Sequence, residues 1–471
     1  MKKSTLFKTL SAGVLASGLI FYGCKKSTVD QNSANDSAKL KINSKSTLNP
    51  NVVTNTHNLN VVYFIPNDNP ALANYKTRIS ALLFNFQDFM KSEMQRNGYG
   101  AKTFGLSVDT AGLVNVITIQ GQNGQAYYDY STSGSTALTE INAYKAAHPT
   151  EFSSDHNLII MPLRTDGGST PFYGVGRNCF AVDYNGLDVA NLATTTSNLM
   201  AGMLHELGHG LGLAHNKQHV SEQGTLGTTL MGSGNQTYGR SATFLSAADC
   251  AILNTCQVFQ ASTSATYYGA VTSTIKTYAN TNSYDGNIYV RGSFTSTSPI
   301  TNVIYYLDPN VNNEGTGVNK DYNANAFRSD VIGLDSFNVA IPVSELQVKG
   351  NTPYELKIKL VCENGNVIPY TYSFNFASDI PQFPSTVQFY QHCSYGGWVA
   401  TLGVGNYTTA QMVALGLVDN DLSSFKVPYG LKVTLYKDDN FGGASVTYAG
   451  GQSCLGGGFN DAVSSVKVSY N

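Results

Sequence analysis

The stretch His205-Glu206-Leu-Gly-His209-Gly-Leu-Gly212-Leu-Ala-His215 gathers metal-binding chemistry into eleven residues. Two histidines four apart on a helix project their imidazoles from one face, where a single ion can be held. Glu206 beside them is placed to take a proton from a water on that ion. A catalytic zinc takes three protein ligands and keeps a fourth position open. A straight helix does not deliver residue 215 to that point. Gly212 does, because glycine adopts a positive φ at a helix end and turns the chain back. The pattern therefore predicts Zn²⁺ on His205, His209 and His215, with Glu206 as general base. Each interior glycine costs a helix about 1 kcal/mol relative to alanine, so Gly208 and Gly210 also call for a reason.

The elements that must carry these residues are read from periodicity. "NVVYFIP" is a buried-strand run, and "NYKTRISALLFNFQDFMKSEMQRNGYG" has helical spacing with Gly98 at its C-cap. Strands are expected at "TFGLSV", "LVNVITIQG", "HNLIIMPL" and "FYGVGRNCFAVD", and a helix over "STALTEINAYKAAHPTEF". "TTTSNLMAGMLHELGH" is the helix bearing the metal motif. "FLSAADCAILNTCQVF" is a last helix, with Ser246 at its N-cap and Asp249 three residues on. Strands alternating with helices define an α/β catalytic domain over 58–262. From 265 to 380 the period becomes two, and Asn364-Gly365 between "YELKIKLVC" and "YTYSFNF" marks a hairpin. That segment reads as an Ig-like β-sandwich spacer. The fold class is thus multidomain α+β, completed by a third module over 384–471.

Composition sets the compartment. Charged residues are 13% and the net charge is −2, so nucleic acid is excluded as a partner. "MKKSTLFKTLSAGVLASGLIFYGC" has a basic start and an apolar run too short for a comfortable span, which makes residues 1–24 a signal peptide. "FYGC" resembles a bacterial lipobox, which implies lipidation at Cys24 and a membrane anchor through acyl chains. Phe21 stands where leucine is usual. Residues 25–57 read as a polar, flexible tether. The expected location is the cell envelope, at the outer membrane or cell surface, or otherwise outside the cell. Six further cysteines show no CxxC spacing. Cys250 with Cys256 and Cys393 with Cys454 are the plausible disulfide pairs. The remaining histidines, His57, His148, His156, His219 and His392, read as solvated loop residues.

The motif HExxHxxGxxH resembles that of the metzincin zinc endopeptidases, and the glycine between the first two histidines is shared with the matrixin version. This likeness covers roughly 58–260. It implies a zinc endopeptidase acting on protein or peptide substrates, with Met231 in "GTTLMGSGN" as the Met-turn beneath the metal. It also makes Tyr238 a candidate oxyanion donor, a packed loop tyrosine being the alternative. By the same analogy "YGVGRNCFAV" is the edge strand on which an extended peptide pairs, an ordinary sheet strand being the alternative. "LMGSG" lacks the tyrosine that closely follows the methionine in some metzincins. The rival reading is a surface binding or adhesion lipoprotein with an inactive protease domain.

The last 85 or so residues contain a repeat: "YQHCSYGG" and "YKDDNFGG" share their aromatic and glycine spacing. Each precedes a polar motif, Asp419-Asn420-Asp421-Leu422-Ser423-Ser424 and Asn460-Asp461-Ala462-Val463-Ser464-Ser465. Carboxylate, amide and hydroxyl oxygens in short loops suit a hard cation such as Ca²⁺. The candidate calcium residues are Asp419, Asn420, Ser423, Asn460, Asp461 and Ser464. The module resembles a two-Greek-key βγ-crystallin domain, and docking to a surface or glycan is a role open to it.

Overall fold

The computed structural model describes residues 22–23, 52–128, 133–163, 173–194, 197–261, 266–282, 286–311, 321–383, 386–427 and 431–470. Cys24 and nearly all of the leader and tether lie outside the described residues.

A six-stranded sheet has the order β1-β5-β6-β4-β2-β3, where β1 is Tyr22–Gly23, β2 Asn60–Ile65, β3 Val116–Gln120, β4 Asn157–Met161, β5 Tyr173–Val175 and β6 Asn178–Val182. Strands β2, β3, β4 and β6 run parallel, while β5 is antiparallel to β6 and β1 to β5. Every residue of β2 and β4 is buried, which is why both read as unbroken apolar runs rather than alternating ones. Helix α1 (Tyr75–Arg96) buries Ile79, Leu82, Leu83, Phe86, Met90 and Met94 at three- and four-residue intervals. It ends where Gly98 takes φ +83°. Helix α2 (Ser133–Ala147) stops short of the expected Phe152, because Pro149 starts a 3₁₀ turn and restricts the residue before it. Helix α3 (Ser197–Gly210) packs across β4, β5 and β6.

The expected strand at "TFGLSV" is absent as such. Gly105 and Val108 make only isolated bridges, because the backbone partners come from scattered segments: Gly105 N donates to Val258 O and Leu106 N to Val53 O.

An ion pair locks α1 to the end of β6. Arg78 donates to both carboxylate oxygens of Asp183, at 2.8 and 3.0 Å, and also to Tyr184 O and Leu187 O. Tyr63 donates to Asp183 Oδ2 at 2.7 Å. Asp183 is wholly buried.

Short elements follow: α4 (Val220–Gln223), β7 (Thr228–Thr229), α5 (Gly234–Thr237), β8 (Thr243–Phe244) and α6 (Ala247–Leu253). Ser246 and Asp249 form the reciprocal cap on α6. Cys250 and Cys256 are separate buried thiols. The helix turns Cys250 toward Glu93 O and Asn97, whereas Cys256 lies against His156. Proximity in sequence therefore does not make them a pair.

Two antiparallel sheets build the next segment. One has the order β13-β10-β9, from Ser273–Asn282 (β9), Asn287–Ser296 (β10) and Ser336–Pro342 (β13). The other is β12-β11-β14-β15-β16, from Ile300–Pro309 (β11), Asn325–Asp330 (β12), Pro353–Cys362 (β14), Val367–Ala377 (β15) and Ile380–Gln382 (β16). The hairpin forms at Asn364-Gly365, with Gly365 at φ +86°. The spacer expectation does not survive. Val303, Tyr305 and Leu307 of β11 face the sandwich core, but the alternate Ile304 and Tyr306 belong to the core that holds β2, β4 and α3. Ala324, Ala326 and Val361 join them. β11, buried on both faces, is a shared wall, which charges neither domain with an exposed apolar surface there.

The C-terminal module has its own core, including Phe389, Phe425, Val433 and Val466. A disulfide joins Cys393 to Cys454 across 61 residues. The two halves repeat in detail: Ser424 Oγ donates to His392 O and receives Tyr395 N, as Ser465 Oγ donates to Asp438 O and receives Phe441 N. Among the described residues no helix is long and apolar enough to cross a membrane.

Candidate metal centre

Helix α3 carries His205 and His209 one turn apart, and the chain reverses directly after it. Gly212 takes φ +95°, the left-handed region where a Cβ is strained. Leu213 N then closes on Gly208 O at 3.0 Å, satisfying an orphan carbonyl of the last turn. The reversal brings His215 Nε2 to 3.0 Å from His209 Nε2. One ligand atom from each of His205, His209 and His215 lies within 4.8 Å of the others.

The rings are aimed by their far nitrogens. His205 Nδ1 lies 2.7 Å from Leu230 O and His209 Nδ1 2.9 Å from Leu213 O. A carbonyl only accepts, so each Nδ1 carries the proton and each Nε2 presents its lone pair inward. This is the outer-shell arrangement of metal-ligating imidazoles. Burial, and then the neighbouring His205, push His209 down to about 3, so it stays neutral and able to ligate. The donor set fits zinc: three imidazole nitrogens converge among largely buried residues. Glu206, 2% exposed, leaves α3 beside His205.

Met231 is fully buried under the helix. A Cβ on Gly208 would lie 2.5 Å from Met231 Sδ, so this glycine is the contact at which the methionine seats. Gly210 backs onto Cys179 of β6, with 3.3 Å available to a Cβ. Asn216 N donates to Met231 O, and Asn216 Nδ2 donates to Asp249 Oδ1 at 2.8 Å. Asp249 thus ties the α6 cap to the residue next to the third histidine, and burial pushes its carboxyl up to about 6.

Tyr238 is not an oxyanion donor. Its ring is buried against Phe86 and Phe89 and its hydroxyl donates to Asn85 Oδ1 at 2.6 Å. It packs the core. Two histidines also depart from the solvated-loop expectation. His156 is 3% exposed, held between Gly210 O and the Tyr268 hydroxyl, and burial lowers it to about 4. His219 stacks on Phe327.

The strand expected at "YGVGRNCFAV" is a hairpin of β5 and β6 beside the metal helix, since a Cβ on Gly174 would fall 2.6 Å from His209 Cβ. The outer edge of β5 takes the backbone of Tyr22–Gly23 antiparallel, Tyr22 opposite Gly174. That edge accepts an extended chain.

Sequence reasoning missed Tyr322, whose ring stacks on His215 with centroids 3.8 Å apart. No spacing rule links residues so far apart.

In the C-terminal module the two polar loops interlock. Ser423 Oγ donates to Asp461 Oδ1 at 3.0 Å and Ser464 Oγ to Asn420 Oδ1 at 3.3 Å. Asn420 N donates to Val463 O and Asp461 N to Leu422 O. Each loop therefore presents its oxygens beside those of the other.

The chain is similar to a known enzyme over most of its length. It is 35% identical to OgpA from Akkermansia muciniphila, covering 70% of this chain and 96% of that one at a TM-score of 0.65. The chain belongs to the OgpA family, and the likeness supports a peptidase function. A catalytically inactive OgpA, 34% identical at the same coverage and TM-score, has been solved in complex with an O-glycopeptide substrate, glycodrosocin. The C-terminal part is similar to a βγ-crystallin domain from Flavobacterium johnsoniae, 40% identical over 18% of this chain and 94% of that domain, with a TM-score of 0.18. It is also 42% identical over 74 residues to Development-specific protein S of Myxococcus xanthus. The chain spans 42% of the length of that relative and 16% of its own. No family model matches the chain.

Proposed function

We propose that this protein is an exported, lipid-anchored zinc endopeptidase of metzincin type that hydrolyses O-glycosylated peptides. The observation that carries the reading is the convergence of three inward Nε2 atoms beside Glu206. His205, His209 and His215 would hold the ion, which when bound supplies Lewis acidity toward the scissile carbonyl and the attacking water. Glu206 takes the proton of that water on its carboxylate and delivers it to the leaving amine nitrogen. With the leader removed, the edge of β5 on which Tyr22–Gly23 lies would align the peptide backbone by strand addition beside His209. Met231 floors the site. The O-glycopeptide bound by OgpA supports the substrate class.

Hydrolysis of a glycopeptide such as glycodrosocin, set beside its unglycosylated counterpart, tests this directly. Cleavage of the glycosylated form alone is expected, lost with a zinc chelator and regained with added zinc. Chelator-resistant cleavage would remove the zinc, and equal cleavage of both peptides would remove the glycan requirement.

The organisation proposed is a leader ending at Cys24, a tether to residue 57, a catalytic domain over 58–262, an Ig-like sandwich over 265–380 and a calcium-binding βγ-crystallin module over 384–471. Each calcium ion would take oxygens from both loops, Asp419, Asn420 and Ser464 at one and Asn460, Asp461 and Ser423 at the other, as the crosswise hydrogen bonds group them. A ligand that binds only the folded state stabilises it by about 2.7 kcal/mol at a hundredfold excess over Kd. Calcium titration should therefore raise the module's Tm by several degrees; an unmoved Tm would remove the metal.

A further inference from the structure

The segment after the third histidine is held largely by the sandwich. Lys217 N donates to Ala324 O at 2.7 Å, and Lys217 bridges Asn325 in parallel. Asn325 Nδ2 and Gln347 Nε2 both donate to Gln218 O at 2.9 Å. His219 Nε2 lies 3.0 Å from Ala326 O while its ring stacks on Phe327 with centroids 4.2 Å apart. Ser221 N donates to Glu345 Oε2 at 2.9 Å. The backbone that fixes where His215 sits is thus built jointly by two modules.

The same contact presents Tyr322 to the metal centre. Its ring lies over the His215 imidazole, centroids 3.8 Å and planes 26° apart. His205 and His209 are aimed by protons donated from Nδ1 to backbone carbonyls of the catalytic domain. On His215 an aromatic face is laid flat against the ring, which resists rotation about the terminal torsion, a broad and weakly restrained one in histidine. The planar contact requires a ring and not a hydroxyl.

We propose that Tyr322 is a positioning residue of the metal centre, holding the His215 imidazole so that Nε2 faces His209 Nε2, and that the sandwich is thereby an integral part of the peptidase site. The proposal rests on the reading of the three histidines as zinc ligands.

The test uses the full-length protein as wild type, Tyr322→Phe, Tyr322→Leu and Tyr322→Met. Zinc affinity is measured by competition with a chromogenic chelator, ligand geometry by the visible absorption of the cobalt-substituted form, and folding by the Tm of the metal-free protein. Outer-shell partners of metal-bound histidines typically govern affinity by 10- to 100-fold. Tyr322→Phe should match wild type in zinc affinity and cobalt spectrum. Tyr322→Leu should bind zinc about tenfold more weakly or worse with an altered cobalt spectrum, at little change in the metal-free Tm. If Leu does not fold, Met serves as the ringless variant. Wild-type affinity and spectrum in a folded ringless variant would overturn the proposal, as would a Phe variant as weak as Leu. A wild type that binds no zinc would overturn the zinc reading itself, and this one with it.

Discussion

Glu206→Gln should leave a folded protein that still binds one zinc and hydrolyses its peptide substrate 10²- to 10⁴-fold more slowly, the usual contribution of a positioned acid–base group. The substitution keeps the shape of a side chain that is 2% exposed at the middle of α3. The three imidazoles and the carbonyls that aim them are untouched. What disappears is a carboxylate able to take a proton from water and return it to the amine. KM should change little, because Glu206 is assigned no part in holding the peptide. Zinc content and single-turnover rates, measured side by side, decide the matter. A variant retaining a tenth of wild-type kcat would sink the general-base assignment, and one that loses zinc would mean that Glu206 shapes the site rather than the reaction.

Asp183→Ala should be the most destabilising single change in the catalytic domain outside the metal site. It strands the Arg78 guanidinium, which is nearly buried and donates to both Asp183 oxygens. Removing one partner of a buried pair costs about 3–5 kcal/mol because the other charge stays out of water. For a domain of this size that corresponds to a fall in Tm of roughly 6–20 °C. Tyr63 loses its acceptor as well. Burial and the Asp183 carboxylate push Tyr63 up, so its hydroxyl stays a donor throughout the working pH range. Asp183→Asn retains two polar atoms at the same positions and should cost less than Ala. Calorimetry on the three proteins checks this, and a Tm within two degrees of wild type for the Ala variant would show that Arg78 finds another route to solvent or acceptor.

The histidine cluster was legible because its geometry is local. Four residues on a helix make one turn, and a glycine with φ > 0 makes one reversal, so the spacing 205, 209, 212, 215 specifies the cluster without knowledge of the rest. The capping of α6 by Ser246 and Asp249 was legible for the same reason, as was the hairpin at Asn364-Gly365. The C-terminal repeat was legible because duplication shows in the letters themselves. Its interlocked loops and the Cys393–Cys454 bond then follow from two halves folded face to face.

Where partners lie far apart in sequence, the pattern misled or was silent. Tyr238 has the type and neighbourhood of an oxyanion donor, yet its direction was decided by α1, whose Phe86, Phe89 and Asn85 enclose it. Cys250 and Cys256 are near in sequence, but a helical turn sends them to different neighbours. The period-two pattern read over 265–380 marked strands without saying that β11 is buried on both faces, one of them against the catalytic core. The sequence by itself determined the three-histidine cluster, the glutamate beside it and the turn that assembles them, because bond rotations within eleven residues are enough. Only the tertiary structure decided that a tyrosine from the sandwich lies against His215 and that Ile304 and Tyr306 of β11 pack into the catalytic core. Those placements depend on the burial of apolar surface shared between modules, which local spacing does not encode.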